Sequence, residues 1–361
     1  MTLIGDIADV KGGKRLPKGK LVQDKSTQYR YIRVTDFSKN GVNVDSVKYI
    51  DAETQSKVSR YTISDSDVYI SIAGTIGLVG MVPKILDGAN LTENAAKICN
   101  IDSSYVPKYI SYFLKSKQGK HEIKSRIVGT SQPKLALFRI KDIPLPNIDK
   151  VEQQKIASIL GVYDDLIDNN AKRIRILEKM SMLVYAHYFE QSETVDWETT
   201  KFKEVIDLRY GKSLTKAARK KGEYPVYGSS GQVGTHNESL VKGPGIILGR
   251  KGNVGSVFWS EKSFYPIDTV YYIKSAYPLP YLYYYLERQK FINNDTAVPG
   301  LSRNQANLID FFIPPENLVE RFNLYAKSIL KMINILKNRN HILYKTRNLL
   351  LSHLVSTETE R

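Results

Sequence analysis

Cysteine is almost missing from this chain of 361 residues. The one cysteine, Cys99, excludes an internal disulfide framework and an all-cysteine zinc site. The segment from Lys97 to Asn100 predicts a strand with Cys99 as a small core residue. A chain with one cysteine fits a reducing compartment. No apolar run reaches the ~18 residues that a membrane span needs. The first residues have neither the basic start nor the apolar run of a secretion signal. We expect a cytoplasmic protein with no membrane contact.

Acidic residues are too few to balance the basic ones. The 53 lysines and arginines face 37 acidic residues, which leaves a net charge of +16 and a pI near 9.5. Such a balance favours a polyanionic partner, and nucleic acid is the leading class. A soluble basic protein with solvated lysines is the alternative. Apolar content of 42% and charged content of 25% are globular values. The length predicts two or three domains.

Motifs for catalysis and metal binding are missing as well. The Asn/Asp-Pro-Pro-aromatic motif of methyltransferases is absent, since Ile313 precedes the proline pair and Glu316 follows it. Gly211–Ser213 looks like the end of a phosphate loop, but Ile206 stands where the leading glycine belongs, which favours a turn. The five histidines show no metal-ligand spacing. We predict no catalytic residue, no metal site and no cofactor in this chain.

What the chain does contain is a repeat. Ser158–Gly161 returns as Ser328–Lys331, and a long heptad-patterned run follows each. A Tyr- and Gly-rich block precedes each run and ends in prolines, at Ile143–Pro146 and Phe312–Pro315. The order is globule, helix, globule, helix, which predicts pseudo-two-fold symmetry within one chain. In a strongly basic chain, that symmetry suggests a reader of two-part DNA sites.

Further landmarks recur in the same order inside both blocks. They are a strand with a glycine turn, a helix that begins at a proline, and a short turn that contains glycine. The pairs are Val68–Val79 with Gly245–Val257, Pro107–Phe113 with Pro280–Leu286, and Gly129–Gln132 with Gly300–Arg303. The residues between them diverge. Matched scaffolds with different loops should read two different half-sites, about 10 bp apart between centres.

The two helical runs have coiled-coil periodicity. Two registers in each run carry mainly apolar residues every seven positions, and one polar layer interrupts each run, Asn170 with Arg173 in the first and Asn340 with Arg347 in the second. Because the chain returns through a globule, we expect the two helices to pack antiparallel. The registers are Ile156, Tyr163, Asn170, Leu177, Val184 and Ile159, Leu166, Arg173, Met180, His187 in the first run, then Phe322, Ile329, Leu336, Leu343, Leu350 and Ala326, Ile333, Asn340, Arg347, Leu354 in the second.

The chain resembles a known family over its whole length, the specificity subunits of type I restriction-modification systems. The resemblance rests on the repeated order of globule and helix. It also rests on three short sequence motifs, Gly129–Leu135, Ile143–Pro146 and Glu152–Leu160. The start of the second helix, Glu316–Phe322, lacks the Glu-Gln-Gln motif found at the start of the first helix.

The resemblance implies a function. Each globule would read one half of an interrupted double-stranded DNA target, and the paired helices would act as a spacer. The subunit would have no catalysis of its own. It would recruit two methyltransferase subunits that use S-adenosylmethionine, and restriction subunits that use ATP and Mg would complete the complex.

We predict an α/β (α+β) chain in four parts. Two target-recognition domains of mixed sheet and helix are joined by two long antiparallel coiled-coil helices. The first recognition domain covers residues 1–149 and the first spacer helix 150–190. The second recognition domain covers residues 191–315 and the second spacer helix 316–361.

Two basic loops at equivalent positions predict phosphate contacts. Lys11–Lys20 is matched by Arg209–Lys216. Lysines and arginines in flexible loops clamp the DNA backbone, although a solvated face is the alternative. The candidates in these loops are Lys11, Lys14, Arg15, Lys212 and Lys216, and Lys251 is a further candidate for DNA binding outside them.

Base readout needs side chains with paired donors and acceptors. The first block offers Arg33, Thr35 and Asp36. The second offers Tyr227, Ser229, Ser230, Gln232 and Arg250. The aligned triplets Ser131, Gln132, Lys134 and Ser302, Arg303, Asn304 would form a contact turn shared by both repeats. Each of these residues could instead serve turn chemistry.

Three other functions remain open. A DNA-binding regulator would bind tightly without a methyltransferase. A nuclease built on carboxylates such as Asp65 and Asp67 would cleave DNA with a metal ion. A coiled-coil adaptor would show only weak, sequence-blind affinity for DNA.

Overall fold

The computed structural model describes residues 2–38, 41–129, 131–190, 197–291 and 300–356. The chain forms two compact units. The first comprises residues 1–167 and 342–361, and the second comprises residues 168–341. Each unit therefore holds one globule and a part of both long helices. No helix among the described residues has the length and apolarity to cross a membrane.

The first unit is built around an antiparallel sheet and a second sheet that contains one parallel pair. Its helices are α1 (Ile4–Ile7), α2 (Ala52–Val58), α3 (Pro107–Lys115), α4 (Lys117–Ser125), α5 (Leu137–Lys141) and the start of α6 (Lys150–Phe189). Its strands are β1 (Thr2–Leu3), β2 (Asp9–Gly12), β3 (Arg30–Ile32), β4 (Phe37–Ser38), β5 (Gly41–Val42), β6 (Lys48–Tyr49), β7 (Thr62–Ile63), β8 (Val68–Ser71), β9 (Val79–Met81), β10 (Ala89–Leu91), β11 (Ala95–Cys99) and β12 (Pro144–Leu145).

The strands of the first unit pair in two main sheets. The antiparallel sheet has the order β2-β11-β8-β9, and the other has the order β6-β3-β10-β7 with β3 and β10 parallel. Strand β8 is buried along its whole length, and its Val68 and Ile70 share a core with Tyr109, Ile110 and Phe113 of α3. Cys99 is buried at the end of β11, as the sequence predicts.

The second unit repeats this arrangement. Its helices are α7 (Phe202–Val205), α8 (Leu279–Arg288), α9 (Arg303–Asn307) and α10 (Glu316–Ser356), together with the end of α6. Its strands are β13 (Thr199–Lys201), β14 (Asp207–Tyr210), β15 (Tyr224–Gly228), β16 (Gly231–His236), β17 (Gly245–Gly249), β18 (Val257–Ser260), β19 (Tyr265–Pro266), β20 (Val270–Lys274) and β21 (Asp310–Phe312).

The sheet orders confirm the repeat. The antiparallel sheet β14-β20-β17-β18 has the order of β2-β11-β8-β9, and the parallel pair β15-β19 matches β3-β10. The predicted glycine turns also match. Gly77 donates its N–H to the carbonyl of Ser71, and Gly255 donates to Gly249, each at 3.0 Å. Both Gly77 and Gly255 have positive φ, 85° and 76°, which a residue with a side chain adopts only under strain.

The two long helices begin at Lys150 and Glu316. The division of the chain into four domains at those residues stays a prediction. Within each unit the helices also complete the core. In the first unit Ile156 and Leu160 of α6 join Leu351 and Val355 of α10 in the core. In the second unit the fully buried Phe322 lies with Tyr185 and Tyr281, and burying a ring of that size contributes about 2–3 kcal/mol.

The helices run antiparallel, as predicted. In the second unit the Asn170 amide donates to the Asn340 carbonyl oxygen at 2.9 Å, and Lys337 lies 3.7 Å from Glu178 further along α6. Partner numbers on α10 fall as numbers on α6 rise. The Asn170–Asn340 pair is the predicted polar layer. Arg347 contacts Asp164 in the first unit, whereas Arg173 is exposed, so its predicted place in a polar layer of the seam is wrong.

One predicted register of α6 is wrong by one residue. The buried or half-buried series is Leu160, Ile167, Ile174, Ser181, and not the series that starts at Ile159. Leu166 and Met180 of the predicted series are 48% and 45% exposed. The helix therefore has one apolar seam packed inside the units and a second apolar stripe at its surface.

Candidate nucleic-acid interface

In each unit, one turn carries the chain from the parallel strand pair into the antiparallel sheet. We call Thr92–Asn94 and Ile267–Thr269 the crossover turns. Gly13 and Gly211 pack against them so closely that an added Cβ would lie 2.1 Å from a backbone oxygen. Only glycine fits such a close approach of two backbones. The sequence match between the two basic loops is therefore confirmed by the packing of their glycines.

The lysines that follow these glycines are held in the same way. The backbone N–H of Lys14 donates to Leu91 at 2.9 Å, and that of Lys212 donates to Pro266 at 3.0 Å. Both side chains are exposed. The backbone hydrogen bonds hold the start of each lysine beside a crossover turn, and the Lys14 ammonium lies 5.6 Å from the centroid of the Tyr61 ring.

An open cleft of about 240 Å³ lies beside the crossover turn of the second unit. It brings together segments that are distant in sequence, namely the end of β14, the residues after β17, strand β20 and the start of α9. The residues that line it include five predicted DNA contacts and two tyrosines, Arg250, Lys251, Ser302, Arg303, Asn304, Tyr210 and Tyr271.

Two guanidinium groups lie near the same tyrosine ring in this cleft. The Cζ atom of Arg250 is 5.0 Å from the centroid of the Tyr210 ring, and that of Arg303 is 5.9 Å from it. A guanidinium at this distance is attracted by the ring and is held in place without losing its charge. Burial raises the pKa of Tyr271 to about 12, so its hydroxyl stays neutral and donates to the carbonyl of Leu301 at 3.0 Å.

Positive charge exceeds negative charge at this cleft. Asp207 lies 2.5 Å from Arg209 and 3.3 Å from Arg303, so one carboxylate serves two guanidinium groups. Arg250 has no carboxylate partner among the described residues and donates instead to the backbone oxygen of Asp268 at 2.9 Å. With the exposed Lys251 at the rim, the cleft suits an anionic ligand.

The first unit differs at the same place. Leu135 donates its N–H to Ile72 at 3.0 Å, as Leu301 donates to Arg250 at 2.8 Å, and α5 and α9 begin two residues later. Ile72 therefore stands where Arg250 stands, and Leu137 where Arg303 stands. Strand pairing likewise places Gly12 opposite Ala96, where the second unit has Tyr210 opposite Tyr271. The first unit has an apolar surface where the second has the cleft.

This correspondence corrects one alignment made from the sequence. Gly129–Gln132 is not the counterpart of Gly300–Arg303, because the backbone bond of Leu135 and the start of α5 make Ala136–Phe138 the counterpart of Ser302–Asn304. The prediction of a contact turn shared by both repeats is therefore wrong. A short Gly-and-Ser pattern carries no information on which backbone hydrogen bonds its residues make.

Of the residues of the first unit that are predicted to contact DNA, some are exposed and others have hydrogen-bond or ion-pair partners within the unit. Lys11 pairs with Asp9 at 3.0 Å, and Arg15 pairs with Glu93 of the crossover turn at 2.8 Å with its side chain 80% exposed. Thr35 is exposed. Ser131, Gln132 and Lys134 are exposed in a tight turn, in which Val128 and Lys134 exchange backbone hydrogen bonds. Their DNA contacts stay predictions.

Arg33 has a structural partner. Its Nε and Nη2 donate to the two carboxylate oxygens of Asp36, at 3.1 and 2.8 Å, and Nη2 also donates to the carbonyl of Ser46. Asp36 is 1% exposed and also accepts from the Ser46 hydroxyl. Asp36 raises the pKa of Arg33 by accepting these hydrogen bonds. The Nε and Nη2 donors of Arg33, which would otherwise read guanine, are already hydrogen-bonded to Asp36 and Ser46 within the first unit.

The remaining candidates of the second unit lie in two different places. Lys216 is exposed in the loop that follows Lys212. Ser229 and Ser230 contact the loop that follows Arg250, since the Ser256 hydroxyl donates to the Ser229 carbonyl and Asn253 donates to the Ser230 hydroxyl. These serines therefore lie next to the strand end that carries Lys251.

Tyr227 and Gln232 line a separate cavity of about 760 Å³. Four carboxylates line it with them, those of Glu178, Glu223, Glu261 and Glu287. Burial raises the pKa of Tyr227. Lys262 and Lys337 line the cavity as well, so carboxylates outnumber lysines there, and the structure separates these two candidates from the basic cleft.

Sequence reasoning missed Tyr210 and Tyr271. The available signal was the position of Tyr210 between Arg209 and Gly211 in a basic loop, since an aromatic residue among cations is typical of nucleic-acid surfaces. Tyr271 carries no such signal, because its strand neighbours are tyrosine and valine.

Carboxylates in the described part of the chain do not form a metal site. No group of three or more His, Cys, Asp or Glu residues is placed to hold an ion there. Asp67 is buried and accepts from Lys97 at 2.9 Å, and the backbone N–H of Asp65 donates to Asp87. Asp65 and Asp67 therefore have structural partners.

The comparison with protein families matches both repeats. The model for the type I restriction modification DNA specificity domain matches residues 2–179 and 194–350. The chain belongs to this type I specificity family.

Relatives within the family are distant in sequence. The specificity subunit of the type I restriction enzyme MjaIX of Methanocaldococcus jannaschii is 26% identical over 207 residues, which is 56% of this chain and 45% of that subunit. The MjaVIII specificity subunit of the same organism is 26% identical over 282 residues, 73% of this chain and 58% of that subunit. This specificity-family chain spans about half the length of these relatives.

A solved structure shares the fold. The crystal structure of the type I restriction-modification S subunit from M. genitalium matches with a TM-score of 0.62 and 18% identity, over 98% of this chain and 95% of the other. The α/β fold with two tandem domains and two long packed helices is therefore that of a specificity subunit.

Proposed function

We propose that this chain is the DNA-recognition subunit of a type I restriction-modification complex. In this proposal each repeat reads one half of an interrupted double-stranded target. One observation carries the proposal, that a repeated scaffold presents different side chains at equivalent crossover turns. A symmetric reader would have like surfaces in both repeats, whereas this chain offers an Arg-Tyr cleft in one and an apolar surface in the other.

The exposed stripe on α6 supports a protein partner. Ile176, Met180 and Leu183 lie at i, i+4 and i+7 on one face of the second unit's part of the helix. Val162 and Leu166 continue that spacing in the first unit's part. Apolar residues that repeat at heptad spacing on a surface mark a docking site. We assign the stripe to methyltransferase subunits.

The chemistry then belongs to the partners. S-adenosylmethionine would bind to the two methyltransferase subunits, and ATP and Mg to the restriction subunits. A base inside a duplex must be flipped out before it is methylated, and the methyltransferase would do this. This chain would select the DNA sequence on which the partners act and would contribute no catalytic group. It would do so in the cytoplasm.

Co-expression tests the proposal. The chain is produced with the methyltransferase encoded beside its gene, and host DNA is sequenced with detection of methylated adenine. Methylated adenines confined to one interrupted two-part motif are expected, with none in cells that make the methyltransferase alone. If the two proteins form no complex and the chain binds a DNA site by itself, a regulator outside restriction is the better description.

A further inference from the structure

The cleft beside Tyr210 has the shape of a site for a phosphate and not for a base. Base edges lie on the floors of the DNA grooves, so a side chain that reads them must project from the protein. Phosphates project from the duplex and fit into a concave surface. The 240 Å³ cleft is concave, and its two arginines lie in its lining.

The arginines of the cleft are positioned before any ligand arrives. Arg250 is held by its ring contact with Tyr210, by the bond from its Nη1 to Asp268, and by its backbone N–H, which donates to Thr269 at 3.0 Å. Arg303 is held by Tyr210 and Asp207. A guanidinium with its position already set loses little entropy on binding and forms bidentate bonds to a phosphate.

The first repeat has no such site. Ile72 and Leu137 occupy the places of Arg250 and Arg303, and both pack against the core of their unit. Gly12 occupies the place of Tyr210, where an added Cβ would lie 3.5 Å from Leu137. None of these three residues carries a charge or a ring, so the pair of arginines on a tyrosine ring is missing from the first repeat.

We propose that the Tyr210 cleft is a binding site for a DNA backbone phosphate, present in the second repeat and absent from the first. The inference rests on the proposed function and names the DNA group that one repeat holds. Arg250 then changes role, from a candidate reader of bases to a backbone contact. The second repeat holds the backbone at this position whatever the base sequence, and the first repeat does not.

Salt titration of DNA binding tests the site without knowledge of the target. The full chain is measured against a random-sequence duplex over a range of salt concentrations. The test variants are Arg250→Ile and Arg303→Leu, which introduce the residues of the first repeat. The control is Arg288→Leu, which removes the same charge at the end of α8, where Arg288 pairs with Glu190 at 2.5 Å.

A phosphate contact predicts a particular pattern. Each test variant should bind the random duplex about tenfold more weakly, and the slope of log K against log salt should fall by about 1. The control should keep the slope of the unaltered chain. The methylated motif found by co-expression should be unchanged.

Other outcomes would overturn the inference. An unchanged slope would mean that no phosphate binds in the cleft. A motif relaxed at one base pair, with normal affinity for the random duplex, would mean that the arginines read a base. If the apolar variants fail to fold, Arg250→Lys and Arg303→Lys should keep the slope and lose part of the affinity, because lysine retains the charge without the fork.

Failure of the inference can be told from failure of the proposed function. An unaltered chain that binds no duplex, alone or with its methyltransferase, would refute the proposed function. An unaltered chain that binds, with test variants that bind equally well, would refute only the phosphate site.

Discussion

At the scale of single residues, environment decides what an arginine does. Arg33 and Arg250 both follow a strand and both suit base reading by residue type. Arg33 lies against a buried carboxylate that takes up its donors, whereas Arg250 lies on a tyrosine ring with no carboxylate among its described partners. A charge that is already paired inside a unit supports the fold, and one that faces an open cleft is available to a ligand.

Asp36→Ala should destabilise the first unit by about 3 kcal/mol. The substitution removes the buried carboxylate that accepts from the Arg33 guanidinium and the Ser46 hydroxyl, and it leaves each of them with a backbone carbonyl as its remaining acceptor. A lower urea midpoint by far-ultraviolet circular dichroism would show the loss. Thr35→Ala, one residue away and exposed, should stay within about 0.5 kcal/mol. Equal midpoints for the two variants would refute a structural role for Asp36.

At the scale of elements, α6 carries two heptad patterns with different purposes. The seam through Leu160 and Ile167 is buried within this chain, and the stripe through Leu166 and Met180 is not. Periodicity reveals both patterns but does not distinguish a seam that the chain covers itself from one left for a partner.

Asn170→Leu should lower the free energy of unfolding by about 1–3 kcal/mol, because the Asn340 amide loses this hydrogen-bond partner in a largely apolar seam. The double replacement Asn170→Leu with Asn340→Leu should recover the loss or exceed the original stability. Chemical denaturation of the single and double variants measures the coupling. Asn169→Leu, at the exposed neighbouring position, should change little. A double variant less stable than both single variants would contradict the assignment.

Leu183→Glu should abolish capture of the methyltransferase, because a charge would be buried when the stripe is covered. Lys331→Glu on the exposed side of α10 changes the charge by more and should leave capture intact. Co-purification of the two proteins, with helix content checked by circular dichroism, is the measurement. Full capture by a variant with glutamate at both Ile176 and Leu183 would remove the stripe as the docking site.

At the scale of the whole molecule, two copies of one topology carry different surfaces. The antiparallel sheets, the parallel strand pairs, the glycine turns and the crossover turns correspond in both units, and the side chains at the crossover turns do not. A tandem chain can therefore recognise a target whose two halves differ, which a homodimer of identical subunits does not do.

Substitutions in one unit should change one half of the methylated motif. Gln132→Ala should relax a base pair in one half, and Ser230→Ala a base pair in the other, each by about 1–3 kcal/mol of discrimination. Methylation-aware sequencing of cells that co-express each variant provides the readout. Relaxation of both halves by either variant would contradict independent reading by the two units.

The sequence by itself determined the repeat, the strands with their glycine turns, the long helices and the Asn170 layer. These features follow from local periods and turn chemistry, which neighbouring residues carry among themselves. Only the tertiary structure decided which heptad of α6 is buried, that Arg33 is satisfied by Asp36, and that Leu301 corresponds to Leu135. It also built the Tyr210 cleft from four separate segments. Such contacts depend on which distant backbones meet, and no local pattern of residue types specifies that.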